Sequence, residues 1–362
     1  MLTVSDVKDL LNERDGQDIL SLYLNVDNSV RENQANNPAW RIWLKQHLRQ
    51  FENENDTQNN DQWATIQERA EAFFRDYTPS SKGLVAFFGP DWENIHPLPV
   101  PVDNHAAYGK PLVGPLLRAL DEYQPYLVVM VDQEEAHFYE SYLGAAEFRD
   151  SIEIDLDEYD FAEKSGMPPT AARTGGYGGL QVNQRDAFED MIEEHRMRFY
   201  REVAEHTEHI ATRDGLHRII IGGDEKAGNT VRKQLAETAQ KQVVDVVSIP
   251  RHYSKHEIFK HVQPLALDYE REEESRMVKE VIDSARAGGR AVLGQEAVDH
   301  ALNMSQVAAL LLVWPPADIN QANDLAYRAL LLNSEIEVVH DKAADKLREA
   351  GGGVAAKLYY SV

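Results

Sequence analysis

Apolar positions along the chain follow two rhythms. ILSLYLNV (Ile19–Val26), KGLVAFFG (Lys82–Gly89), YLVVMVD (Tyr126–Asp132) and VVDVVSI (Val243–Ile249) are short alternating or continuously apolar runs, which predict strands. AHFYESYLG (Ala136–Gly144) reads as the hairpin partner of Tyr126–Asp132. Helical spacing appears in NNPAWRIWLKQHLRQF, with Asn37 as N-cap, Pro38 at the first helical position, and Trp43, Leu44, Leu48 and Phe51 facing inward. Phe188, Ile192, Phe199, Val203 and Ile210 trace the stripe of a long helix. HRIIIGGDEKAGNTVRKQLAETA reads as strand, turn, helix, and DYEREEESRMVKEVIDSARAGG (Asp268–Gly289) as an acidic helix with a glycine stop. The polar run Glu52–Gln62 predicts a surface loop, and His96–Asn104 a proline-punctuated connection. AVLGQEAVDHAL, VAALLLVW, IEVVH, AADKLREAGGG and VAAKLYYSV give a compact α/β/α unit at the end. Strands alternating with helices predict an α/β fold. The expected division is an N-terminal α/β domain over 1–122, a central α/β domain over 123–267 and a C-terminal α/β/α domain over 268–362.

Composition narrows the function classes. No run of about 18 apolar residues exists, so no membrane span is expected. The start, with Asp6, Asp9 and Glu13, lacks the basic and apolar blocks of a secretory signal. Cysteine is absent, which excludes disulfides, thiolate metal sites and a cysteine nucleophile. A cytoplasmic protein is expected. The 61 acidic residues against 37 Lys and Arg give a net charge of −24. That balance argues against broad nucleic-acid binding, which needs many phosphate-neutralising cations, and leaves docking through local basic patches.

Two patches meet that condition. Arg41, Lys45 and Arg49 recur every four residues and form one basic stripe on the predicted N-terminal helix; an ordinary solvated helix face is the alternative. The second is AARTGGYGGLQVNQRDAF, Ala171–Phe188. From Lys164 through Arg185 there is no Asp or Glu, while Lys164, Arg173 and Arg185 are cationic and both flanks are crowded with acid. The glycines around Tyr177 let backbone approach a ligand closely, as a phosphate-facing tip requires; a flexible linker is the alternative.

Other candidates carry less. GDEKAGNT (Gly223–Thr230) has the glycine spacing of a P-loop, but Asn229 stands where the phosphate-binding lysine belongs, and a βα turn accounts for both glycines. His256 and His261 are five apart, about 140° around a helix, so they do not share the face a zinc site needs. His206 and His209 have no carboxylate at motif spacing. No metal and no cofactor is expected.

Taken in order, the glycine loop with its glutamine, the long helix, strand–GG–helix, then GGRAVLGQEAVDHALNMSQVAALLLV and GGGVAAKLYY resemble bacterial relatives of the archaeal and eukaryotic class-I release factor and of Pelota. ILSLYLNVDNS and KGLVAFFGPD are similar to the N-terminal domain of the bacterial branch. The resemblance implies a three-domain architecture. It also implies a ribosomal partner, with contacts to rRNA of both subunits at the A site and peptidyl transferase centre, and a translational GTPase of the elongation factor Tu class. In that family a Gly-Gly-Gln tip helps place water against the ester of peptidyl-tRNA. This chain reads Gly178-Gly179-Leu180-Gln181, so Leu180 either replaces the glutamine or displaces it. The Asn-Ile-Lys-Ser tetrapeptide that reads stop codons in eukaryotic factors is missing. The resemblance therefore implies a non-enzymatic A-site factor, closest in kind to the Balon-type hibernation factors. Its rRNA contacts would be Arg173, Tyr177, Gly178, Gly179, Gln181 and Arg185, with Arg41, Lys45 and Arg49 on the decoding side. The alternative is a rescue hydrolase using Gln181.

Overall fold

A computed structural model describes residues 3–14, 16–55, 61–143, 145–154 and 180–360. They form two compact units, one built from residues 1–124, 143–145 and 267–362 and the other from 125–142 and 146–266. The first and last thirds of the chain thus share one unit.

In the first unit, α1 (Val4–Glu13) opens with a capping box between Thr3 and Asp6. β1 (Ile19–Asn25), β2 (Gly83–Phe88), β3 (Glu93–Leu98) and β4 (His105–Gly109) make an antiparallel sheet in the order β3-β2-β1-β4. Helices α2 (Ala39–Asn55) and α3 (Asp61–Asp76) cover one face, packing Trp40, Leu44, Leu48, Trp63, Ile66 and Phe74 on Leu20, Leu22, Leu84 and Phe88. Two expectations are corrected here. The run Glu52–Gln62 is not a loop throughout, because α2 extends to Asn55 and α3 begins at Asp61. The first residues of His96–Asn104 belong to β3, since its edge position spares Pro97 the need to donate a ladder bond on both sides. Helix α4 (Gly114–Glu122) closes the segment.

In the second unit, β5 (Tyr126–Val131), β6 (Glu135–Tyr142), β7 (Ala145–Glu153), β8 (Ile219–Gly223) and β9 (Val243–Ser248) form a sheet in the order β7-β6-β5-β8-β9. β5 and β6 are the predicted hairpin, and β5, β8 and β9 run parallel. The long helix α5 (Leu180–Asp214) lies against this sheet through Phe199, Val203 and Ile210. α6 (Glu225–Gln234) and α7 (Glu237–Gln242) connect β8 to β9. β7 was not anticipated: most of its residues are exposed, so it shows no apolar alternation.

Helix α8 (Lys255–Arg286) begins well before the expected start at Asp268 and runs through Pro264 from one unit into the other. Ile258, Phe259 and Val262 bury against Val128 and Ile220 in one unit, and Val278, Val281 and Ile282 in the core of the other. Burial at both ends outweighs the local cost of the proline. The final elements are β10 (Ala291–Leu293), α9 (Gln295–Asn303), β11 (Val307–Val313), α10 (Ile319–Leu331), β12 (Glu335–Val339), α11 (Asp341–Gly351) and β13 (Val354–Leu358). Their sheet runs β10-β13-β11-β12, with β11 and β12 parallel. Three sheets with flanking helices, the first antiparallel and the other two mixed, bear out the α/β class. No described helix is long and apolar enough to cross a membrane.

Candidate functional site

The glycine tip immediately precedes α5. Arg173, Tyr177, Gly178 and Gly179 lie outside the described residues. Leu180 is the first helical residue, so Gln181 and Arg185 occupy the first two turns of α5. An α-helix turns 100° and rises 1.5 Å per residue, and Leu180 therefore sets Gln181 one such step beyond the position adjoining Gly179. The helix is fixed by Phe199, Val203 and Ile210, each almost fully buried. Gln181 stands about 27 Å along the axis from Phe199. The first turn contains no acid. The N-terminal end of an α-helix is electropositive, because its first N–H groups have no intrahelical partner and the helix dipole points its positive end there.

The stripe on α2 divides in two. Lys45 and Arg49 are exposed, and neither pairs with a carboxylate among the described residues. Arg41 is half-buried instead. Its guanidinium donates to the Tyr77 carbonyl at 2.8 Å and lies 5.0 Å from the Trp40 ring centroid. Trp43, expected to face inward, packs on the edge of the core and stacks on His47 with ring centroids 3.7 Å apart.

The P-loop-like segment is a structural turn. Asp224 caps α6 by accepting from the Ala227 amide at 2.8 Å, which puts a carboxylate where a phosphate would sit. Asn229 donates to the Glu225 carbonyl. Gly223 has φ +107°, and Gly228 packs so tightly that an added Cβ would come within 2.9 Å of Val246 Cγ1. His256 and His261 are exposed on α8. Spacing missed the partner of His206: its Nε2 lies 2.9 Å from Asp150 Oδ2, brought from β7 by the fold.

Sequence reasoning also missed a cleft of about 510 Å³ at the carboxyl ends of β5, β8 and β9. Asp132, Glu135 and Asp224 line it, with Tyr139 and Tyr253 as walls. Arg251 reaches Glu135 at 2.8 Å and Asp132 at 3.3 Å. Burial, with Glu135 close by, raises the Tyr139 phenol. The available signal was that Asp132 and Asp224 each follow directly on a strand, the position where open parallel sheets present ligand crevices.

Residues 111–266 match the family model of the bacterial archaeo-eukaryotic release factor family 10. No curated protein matches the chain. Among solved structures, it is similar to the archaeal translation termination factor aRF1, at 18% identity over 99% of both chains with a TM-score of 0.29. Ribosome-bound archaeal Pelota, described with ABCE1, is 16% identical over 99% of this chain and 95% of its own, with a TM-score of 0.47. Dom34 of S. cerevisiae is 12% identical over 77% and 80%, with a TM-score of 0.46. The matched segment holds α4, the central sheet, the glycine tip and its supporting helix, and over these residues the chain is similar to the bacterial archaeo-eukaryotic release factors.

Proposed function

We propose that the protein is a ribosome-binding translation factor that fills the A site of idle or stalled ribosomes and does not hydrolyse peptidyl-tRNA, a hibernation factor of the Balon type. The observation that carries the reading is the tip: Gly178 and Gly179 are followed by Leu180, and Gln181 enters α5 one residue late. A displacement of about 1 Å can cost about 10²-fold in rate, and one helical step exceeds that. The electropositive head of α5, and Lys45 and Arg49, which pair with no carboxylate among the described residues, suit contact with RNA backbone in a chain of net charge −24. Arg173, Tyr177 and Arg185 complete the proposed rRNA contacts. A translational GTPase of the elongation factor Tu class belongs to the same proposal, as the agent that delivers such a factor.

Gln181 itself favours the second reading, a rescue hydrolase. Cosedimentation with ribosomes from stationary-phase cells and a peptidyl-tRNA release assay separate the two. The expected result is ribosome binding with release at background. Release well above background that Gln181→Ala abolishes would overturn the non-enzymatic reading, and failure to cosediment would overturn ribosome binding itself.

A further inference from the structure

Three carboxylates from distant parts of the sequence meet inside the first unit. Asp121 comes from the last turn of α4, Glu270 from α8 and Glu337 from β12. One oxygen of each lies within 4.8 Å of the others. Asp121 is 8% exposed and Glu270 2%. Asp121 Oδ2 accepts from the Val338 amide at 2.8 Å, so the cluster sits on the hydrogen bond that ties the end of the N-terminal segment to the C-terminal sheet.

The cations nearby are engaged with other acids. Arg118, on α4, lies 3.2 Å from Asp103 and 3.4 Å from Glu122. Arg271, on α8, reaches Glu122 at 2.9 Å and Asp341 at 3.2 Å, and also pairs with Glu274. His340, beyond β12, lies 3.1 Å from Glu274. Arg328 and Asp324 of α10, which also packs on α4, pair with Asp299, with each other and with Lys110. Glu337 is half-buried, and carboxylates this close, two of them buried, cannot all ionise, because each buried charge loses its water and meets a like charge.

We propose that Asp121, Glu270 and Glu337 hold a shared proton at neutral pH, and that this proton fastens α4 to β12, so that the joint between the first and last segments weakens as the proton is lost. Burial, then the neighbouring Glu337, pushes the Asp121 carboxyl well above its ordinary range. The folded chain keeps a proton that the unfolded chain gives up, so unfolding releases it. Stability contributed by the cluster is therefore greatest at acid pH and falls as pH rises above the ordinary carboxylate range. Glu274 works in the opposite direction. Burial alone would raise its carboxyl, but hydrogen bonds from the His340 side chain and backbone, with Arg271 beside it, hold it low. Its contribution is lost only as pH drops into the carboxylate range.

The test uses the full chain. Asp121→Asn keeps an oxygen for the Val338 amide and removes the charge. The urea midpoint of the wild type should fall between about pH 5 and pH 8, and Asp121→Asn should lose most of that slope. Unfolding at about pH 7 should release about one proton fewer in the variant than in the wild type. Parallel slopes and equal proton release overturn the proposal. Should Asp121→Asn fail to fold, Glu337→Gln serves in its place. The folded wild type must in any case show the infrared carbonyl band of a protonated carboxyl at neutral pH, and its absence overturns the proposal without any variant. A midpoint at about pH 8 that Mg²⁺ or Ca²⁺ raises in the wild type but not in the variants would mean that the cluster holds a cation rather than a proton, and the proposal falls.

Discussion

Removing the side chain of Asn323 tests how the first and last segments are held as one unit. The first helical residues of α4 have an unusual beginning. Val113 occupies the N-cap and offers no side-chain acceptor, while Pro115 follows inside the first turn. The orphaned amides are capped from 210 residues away: Asn323 Oδ1 accepts from Val113 N at 2.7 Å and from Gly114 N at 3.2 Å. Its Nδ2 donates to the Pro111 carbonyl at 2.9 Å. The side chain is buried, so water cannot easily replace it. Asn323→Ala leaves three backbone groups without their partner. At about 1 kcal/mol each the loss is about 3 kcal/mol, more than a hundredfold in the equilibrium constant. Asn323→Asp keeps the acceptor, places a negative charge at a helix N-terminus and loses only the donor, so its cost should be about 1 kcal/mol. Urea unfolding followed by circular dichroism gives both numbers from the transition of the first unit. A loss below about 0.5 kcal/mol in Asn323→Ala would mean that water caps α4 unaided and that the two segments are held by apolar contact alone.

Further outcomes follow from the same geometry. Gly228→Ala gains about 1 kcal/mol of helix propensity but forces a methyl to within 2.9 Å of Val246 and 3.1 Å of Ile221; overpacking of about 2 kcal/mol wins, and thermal unfolding should show a net loss near 1 kcal/mol. The double variant Lys45→Glu, Arg49→Glu should stay folded by circular dichroism and bind isolated small ribosomal subunits at least about tenfold more weakly, a change of about 1.4 kcal/mol; unchanged binding would make the stripe an ordinary solvated face. Arg41→Ala should instead lower stability by about 1 kcal/mol, because that guanidinium is bonded to the Tyr77 carbonyl and packed on Trp40. Deleting Leu180 brings Gln181 directly after Gly179, and peptide release should rise by about 10²-fold over the wild type; release that stays at background while ribosome binding persists would show that more than the register of the glutamine has been lost.

Strands such as β1, β2, β5, β8 and β9 were legible because their apolar runs are short and bounded by turn residues, as in Tyr126–Val131 and Val243–Ser248. What was not legible lies where tertiary contacts override the local signal. β7 is exposed along most of its length and takes its identity from pairing with β6. Pro264 would ordinarily mark a helix end, yet α8 continues through it because each half of the helix has its own core to fill. The union of the first and last segments depends on single polar residues, Asn323 and Asp121, whose partners lie more than two hundred positions away. Nothing in the neighbourhood of either residue marks it in the sequence.

The candidate site shows the opposite balance. The tip is defined by the identity and order of four residues, Gly178 to Gln181, and by the lack of acid between Lys164 and Arg185, both of which are properties of the sequence itself. What the structure adds is mechanical. Because α5 starts at Leu180 and Phe199 is buried in the core of its unit, an α-helix of this length is a rod that carries Gln181 about 27 Å along the axis from Phe199. A group on such a rod can be moved by a change of register at its root, but not by small relaxations near its end, since a helix resists local bending without a proline, a glycine or a bulge to allow it. None of those residues occurs between Leu180 and Asp214. The extra residue before Gln181 must therefore be absorbed on the glycine side of the tip or not at all. On the proposed reading, the order of those four residues, rather than the presence of a glutamine, is what separates occupying a ribosome from cutting peptidyl-tRNA, and the Leu180 deletion tests it.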